Sequence, residues 1–345
     1  MDTSDAIQID VIIPVLNEQE YILSCLNSVC SFVLPKNVNL QIFVIDGCSK
    51  DETLRIALEF AADKDNIFVL NNPGIIQATA LNIGIKQSKA DYILRLDAHS
   101  EYPSDYLANC LETALRTSAC NVGGMAITKA SSSSLSATLV QAISTSKFGV
   151  GDSGFRVGAE EGVRDTVPYG FFKREIFNKY GLFNERLARA QDYEFNKRIQ
   201  NEGGKIWFNP KIYFSYYNQS SFYSFIIKQI MKEAPFNAYM WYLAPYSFSV
   251  RHSVTLFFAL GIIGGLVLTL FEISYLLSLI FFNIVSLYFI LGIYFSIKQS
   301  RRYKRFSLLP CLPFAFFVFH LTHGIGILAG IIRLIFNAAP VQRNN

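Results

Sequence analysis

The stretch Ile7-Gln8-Ile9-Asp10-Val11-Ile12-Ile13-Pro14-Val15-Leu16-Asn17-Glu18 decides the fold. It opens on a near-continuous apolar run and breaks at a proline, an amide and a carboxylate. A short run rich in β-branched residues reads as a strand buried on both faces, the pattern of a parallel sheet covered by helices. The next segment, Glu18 to Cys30, has helical period. The same alternation then recurs. Strands are expected at Ile7–Ile13, Leu40–Ile45, Ile67–Leu70, Tyr92–Leu96 and Val122–Ile127, with amphipathic helices at Glu18–Cys30, Asp51–Ala62, Ile76–Ser88 and Ser104–Thr117. Each helix starts near a capping or turn residue: Asn17, Ser49 and Asp51, Pro73-Gly74, and Pro103-Ser104. The expected fold class is therefore α/β with a mostly parallel central sheet, and polar residues gather just past the strand ends, where such sheets bind ligands.

Farther along, residues 128–165 are irregular and serine- and glycine-rich, and read as a helix followed by a loop over the site. Short strands and a charged helix return from Val167 to Tyr213. Beyond that the composition changes. Aromatic residues mixed with Lys228, Lys232 and Glu233 suit interfacial amphipathic helices over 216–250, the alternative being a surface helix packed on the preceding domain. Apolar runs at about 254–271, 275–297 and 308–336 are long enough to cross a bilayer, which needs about 20 residues. The last contains Pro310 and Pro313, so it is either one span, the favoured reading, or a re-entrant pair. His320 and His323 share one face of it, either to bind a phosphate or metal or to bond neighbouring helices. The expected domains are thus 1–215, a cytoplasmic catalytic domain, 216–250, interfacial, and 251–345, transmembrane.

Charge supports this division. Residues 251–345 carry eight Lys/Arg against one Glu, whereas residues 1–250 carry 23 against 26 acidic residues. The basic stretch KQSRRYKRF (298–306) is expected to face the cytoplasm. The six cysteines form no C-x-x-C pair and read as buried thiols of the cytosol. MDTSDAIQID (1–10) lacks the pattern of a signal peptide, so the amino-terminal domain is expected to stay in the cytoplasm. At 51% apolar residues and a mean hydropathy of +0.27, the chain is neither disordered nor a disulfide scaffold. A nucleic-acid partner is not expected.

Four constellations at strand ends carry chemistry. Pro14 to Glu18 delivers an amide and a carboxylate, although Asn17 alone would serve as a helix cap. Asp46-Gly47-Cys48-Ser49-Lys50-Asp51 adds two carboxylates beside a glycine turn. In Arg95-Leu96-Asp97-Ala98-His99, the oxygen of Asp97 and the imidazole of His99 make a reasonable pair for a divalent cation holding a diphosphate. The alternative is a solvated strand end. Finally, Asp192 shares the inward stripe of its helix with Phe195 and Ile199, while Glu194 pairs with Arg198 at i+4.

PVLNE (14–18), IDGCSKDET (45–53), ATALNIGI (78–85), LRLDAHS (94–100), DTVPYGFFKREIF (165–177), FNERLARAQDYEFNKRI (183–199) and GGKIWFNP (203–210) together resemble glycosyltransferase family 2. The resemblance covers residues 8–215 and is most similar to the succinoglycan-type glucosyltransferases of bacterial exopolysaccharide assembly. It implies a nucleotide-diphospho-sugar transferase (GT-A) fold and a divalent cation, Mn2+ or Mg2+. By it, Pro14, Asn17, Glu18 and Asp46 would hold the nucleoside. Asp97 would meet the ribose or sugar and, with His99, the metal and diphosphate. Asp192 would be the general base of a single inverting displacement. Arg156, Arg164 and Lys173 are candidates for charge over the diphosphate.

Two departures from the family pattern stand out. His99 replaces the usual final Asp, which puts the metal in question. No Arg-Trp follows Gln229, so the signature of processive synthases is missing. The expected enzyme moves one sugar from a nucleotide-sugar, a UDP-hexose, to a lipid-linked (polyprenyl diphosphate) saccharide at the inner membrane, its basic loop and interfacial aromatics meeting membrane lipid. The alternatives are a polyprenyl-phosphate glycosyltransferase and a non-catalytic sugar-nucleotide-binding scaffold.

Overall fold

A computed structural model describes residues 6–341. The first five residues of the polar amino-terminal stretch, like the last four of the chain, lie outside the described residues. The described residues fall into two compact units, one of residues 6–127 and 158–216, the other of residues 128–157 and 217–341.

The first unit is an α/β fold of the GT-A type. Its strands are β1 (Ile7–Val15), β2 (Val38–Asp46), β3 (Ile67–Asn71), β4 (Tyr92–Arg95), β5 (Ser100–Glu101), β6 (Asn121–Lys129), β7 (Gly162–Val163), β8 (Phe171–Lys173) and β9 (Ile206–Tyr217). They form one sheet in the order β3-β2-β1-β4-β8-β6-β9-β5, with β7 beside β9. The first four are parallel, with Val15 opposite Asp46 and Ile12 opposite Arg95, so the Asn17, Asp46 and Asp97 loops leave the same edge. Ile9, Val11, Ile12 and Ile13 are fully buried, as expected of a strand covered on both faces.

All five expected strands occur, but the fifth has different neighbours. Short β8 lies between β4 and β6 and runs antiparallel to both. The first helix also differs, because it starts at Ile22 rather than Glu18. Asn17 has a left-handed φ of 56° and turns the chain away instead of capping the helix.

In the second unit three helices, Val250–Leu270, Tyr275–Arg302 and Leu308–Ile335, are long and apolar enough to cross a membrane. They make the chain a multi-pass membrane protein. The third is a single continuous helix with Pro313 inside it, so the one-span reading describes it and the re-entrant pair does not.

Where the sequence reading cuts the chain at 215, the compact units interleave. The helix Leu135–Ser144 is apolar, and its Ala142 and Ile143 are buried with Leu308, Leu312 and Phe316. Basic residues at and just after the end of the second long helix hold the same segment. Arg305 donates to the carbonyls of Ser133 and Ser134 at 2.8 and 3.1 Å, and Arg302 to that of Thr145 at 3.3 Å. Residues 128–157 thus belong with the apolar helices, and the helix expected in this stretch is Leu135–Ser144. His320 meets Tyr288 Oη at 2.8 Å and the Gly149 carbonyl at 3.2 Å, and His323 meets Thr255 Oγ1 at 2.8 Å. Of the two readings of these histidines, the bonded one describes them.

Candidate active site

The site begins with two laced loops. Asn17 accepts from the Lys50 amide through Oδ1 at 2.8 Å and donates its own amide to Ser49 Oγ at 2.9 Å, while the Glu18 amide donates to Thr53 Oγ1 at 2.7 Å. The carboxylate of Asp51 caps Thr53 through its amide and hydroxyl at 3.0 and 2.6 Å. Gly47 is required where these loops meet. A Cβ there would lie 2.7 Å from the Ile75 carbonyl oxygen.

Asp46, 1% exposed, accepts from the Ser49 amide through Oδ2 at 3.0 Å. Its buried Oδ1 has no hydrogen-bond partner among the described residues. Such an acceptor is costly to bury unless a donor reaches it.

The second half of the site centres on a residue that the sequence reading quoted without giving it a role. Arg95, at the end of β4, is 3% exposed. Its Nη2 donates to Asp97 Oδ1 at 3.0 Å and its Nη1 to Asp192 Oδ2 at 3.4 Å. Burial works against its charge, and the carboxylates of Asp97 and Asp192 outweigh that, so its pKa is raised. Asp97 Oδ1 also accepts from Gln77 Nε2 at 2.9 Å, and Gln77 Oε1 accepts in turn from Gln191 Nε2. Two separately predicted carboxylates, 95 residues apart in sequence, are thereby brought into one polar ring. A buried arginine two residues before a carboxylate was the available signal.

Strained backbone holds the guanidinium in place. Tyr169 has φ 61° and Gly170 φ 123°. A Cβ on Gly170 would come within 2.5 Å of the Phe172 ring and 2.6 Å of Asn121 Oδ1. In this turn the Gly170 carbonyl accepts from the Arg95 amide at 3.0 Å, the Tyr169 ring lies 5.3 Å from the guanidinium carbon, and Tyr169 Oη meets Ser100 Oγ at 2.7 Å. A Gly170→Val substitution is expected to destabilise the fold by more than about 2 kcal/mol through overpacking and φ strain, as read by thermal unfolding. An unchanged melting temperature would show that this turn relaxes freely.

Asp192 lies in the first turn of the helix Gln191–Asn201. Phe195 and Ile199 are fully buried, whereas the Asp192 side chain is 36% exposed. The inward stripe thus ends at the site and not in the core. Glu194, read as half of a plain salt bridge, is 1% exposed and meets Arg198 through both oxygens at 3.0 and 2.7 Å. The helix is further pinned by Asn196, which accepts from Asn121 Nδ2 at 2.8 Å.

His99 meets Glu18 Oε1 through Nδ1 at 3.2 Å. A neutral imidazole that donates Nδ1–H to this carboxylate keeps its lone pair on Nε2, as in histidines that ligate metals. No group of three or more His, Cys, Asp or Glu that would hold a metal occurs among the described residues. One carboxylate and one imidazole still fit a divalent cation whose other ligands are diphosphate oxygens. Lys173 does not join the site. It pairs in register with Tyr92 at the opposite end of β4 and meets Glu175 at 3.5 Å. Arg164 donates to the Glu160 carbonyl at 2.8 Å, and Arg156, in the second unit, lies over the Phe155 ring.

Comparison with known proteins agrees with this geometry. Residues 10–181 match the model of glycosyl transferase family 2. The chain is 29% identical over 333 residues to a dolichyl N-acetyl-alpha-D-glucosaminyl phosphate 3-beta-D-2,3-diacetamido-2,3-dideoxy-beta-D-glucuronosyltransferase of Methanococcus voltae, covering 94% of this chain and 97% of that one. It is 31% identical over 209 residues to the succinoglycan biosynthesis protein ExoA of Rhizobium meliloti, covering 60% and 62%. Similar identity to both does not single out the succinoglycan type. In fold it is similar to a mannosyltransferase of Pyrobaculum calidifontis in complex with GDP-Man and Mn2+, with a TM-score of 0.61 at 15% identity over 97% of this chain and 89% of that one. By its matched sequence and its sheet, the chain carries a glycosyl transferase family 2 domain over residues 10–181 and is a membrane-bound glycosyltransferase.

Proposed function

We propose that the protein is an inverting glycosyltransferase that moves one hexose from a UDP-sugar to a lipid-linked saccharide, with the catalytic unit on the cytoplasmic side of the membrane. The observation that carries this is the polar ring in which Arg95 joins Asp97 to Asp192 at the strand-end edge shared with Asp46. The buried, unpartnered Oδ1 of Asp46 suits the N–H of a nucleobase, and Pro14, Asn17 and Glu18 belong to the same laced loops. Asp97 and His99 would hold the cation, Mn2+ or Mg2+. When bound it neutralises charge on the departing diphosphate.

Asp192, exposed enough to meet an acceptor, takes the proton from the acceptor hydroxyl. That oxygen forms the new bond to the anomeric carbon on the face opposite the donor as the bond from that carbon to the diphosphate oxygen breaks. The nucleoside diphosphate leaves with the electron pair. No second acid is needed, because a diphosphate is a good leaving group without protonation. A lipid-linked saccharide is the favoured acceptor because the relative matched over nearly its whole length is named for transfer to a dolichyl phosphate-linked sugar.

Thermal unfolding of the full chain in detergent tests the donor site. UDP with Mn2+ at about 100 times its Kd is expected to add about 2.7 kcal/mol to the stability of the wild type. Asp97→Asn and His99→Ala should lose the metal-dependent part. Stabilisation by GDP alone would reassign the donor, and no shift with any nucleotide would overturn the nucleotide-sugar donor site proposed here. Offering lipid phosphate and lipid-diphospho-saccharide separately then decides the acceptor.

Cysteine chemistry gives an independent check. Cys30 and Cys48 are exposed and not buried as the sequence reading has them, and Cys48, in the Asp46 loop, should react with iodoacetamide and be shielded by UDP. Cys25 should stay unmodified, since burial pushes its thiol pKa up and removes it from solvent. Equal labelling of Cys48 with and without UDP would place the nucleoside elsewhere.

A further inference from the structure

The reaction uses a carboxylate on the donor side and a carboxylate on the acceptor side, yet the structure does not leave them independent. Arg95 touches both. A buried guanidinium between two carboxylates has one positive charge for two negative ones, so its bonds to them compete. The bond to Asp97 is the shorter, 3.0 against 3.4 Å. A second tie runs in parallel, from Asp97 Oδ1 through Gln77 to Gln191, the residue next to Asp192. Gln191 is itself 3% exposed, so this tie ends in a side chain with little room to move. Ala190, which precedes it, has a left-handed φ of 62°, while its carbonyl still accepts the first helical bond, from the Glu194 amide at 2.9 Å. The first turn of the helix is therefore held from below by Phe195 and Glu194 and from the site by two hydrogen-bonded tethers that meet on one oxygen of Asp97.

We propose that Arg95 is a positioning residue that couples the donor-side carboxylate Asp97 to the orientation of Asp192, with Gln77–Gln191 as a parallel tether, so that occupancy of the donor subsite aims the base. The inference rests on the function proposed above. Asp97 is the shared anchor, and any ligand that draws on its carboxylate changes what Arg95 and Gln77 hold on the other side. Only a planar fork performs this role. The guanidinium offers separate N–H groups at fixed directions to the two acids while stacking on Tyr169, whereas a lysine ammonium is a point charge on a flexible stem. Lysine would keep the charge but lose the aim.

Hydrogen exchange of the full chain in detergent, with and without UDP plus Mn2+, tests this. In the wild type the ligand should slow exchange across residues 191–196. Arg95→Lys should bind UDP with a Kd within about threefold of wild type, yet show no ligand-dependent slowing there. Gln77→Leu, which removes the other tether and leaves the buried charge in place, should reduce the slowing by about half. In vesicles supplied with UDP-glucose, UDP-galactose and UDP-N-acetylglucosamine, Arg95→Lys should lower kcat by about 100-fold with little change in donor KM, the cost of misplacing a catalytic group by about 1 Å. Undiminished slowing in both variants, or an unchanged kcat in Arg95→Lys, overturns the coupling while leaving the transferase reading intact. Failure of wild type to bind UDP overturns the UDP-sugar reading on which the inference rests.

Discussion

Asp192→Asn is expected to lower the transfer rate by about 10²–10⁴-fold, the range supplied by a positioned general base, while UDP binding stays unchanged. Asparagine has the shape of aspartate and keeps an oxygen toward Arg95, so the ring of polar contacts can persist. It cannot accept the acceptor's proton. The helix beneath is anchored by residues the substitution does not touch, with Phe195 5.5 Å from the stacked ring of Phe177 and 4.7 Å from Phe183. The measurement is single-turnover transfer alongside UDP titration. Loss of both rate and nucleotide binding would make Asp192 a structural residue, and retention of both would show that another group takes the acceptor's proton.

Arg198→Met is expected to cost about 3–5 kcal/mol of stability, the penalty for removing one partner of a buried ion pair. The guanidinium bonds both oxygens of Glu194 and also the carbonyls of Tyr180 and Leu182 at 2.7 and 2.9 Å. Methionine fills similar volume but donates nothing, so a buried carboxylate and two carbonyls lose their shared cation. The double variant Glu194→Gln with Arg198→Met should recover part of the loss, because the uncompensated charge is then gone. Pulse proteolysis of the solubilised chain reads both. A single-variant loss below about 1 kcal/mol would mean that the pair is not buried in solution as it is here. The prediction joins stability to the proposed catalysis, because the same helix carries Asp192 two residues before Glu194.

The two effects differ in how far sequence could foresee them. Asp192 was legible because a lone acid on the apolar stripe of a helix needs a reason to be there. Glu194 and Arg198 satisfied each other at i+4 and so gave no hint of burial, since that spacing is equally common on solvated faces. The strands were legible from their period, as were the three long apolar helices, whose length and composition carry the signal alone. The insertion of β8 between β4 and β6 was not, because three residues carry no period and antiparallel placement depends on distant partners.

The sequence by itself determined the α/β class and the membrane helices and singled out the acids proposed for the site, because each depends on local period, local composition or a short motif. Tertiary structure alone decided three other things. It assigned residues 128–157 to the unit of the apolar helices, through contacts with residues more than 150 positions away. It gave Asn17 to the loop after β2 and not to the helix next to it in the chain. And it set Arg95 between Asp97 and Asp192. The physical reason is common to all three. A side chain's partner is chosen by which segments the sheet order brings side by side, and hydrogen-bond geometry between remote segments leaves no periodic trace along the chain.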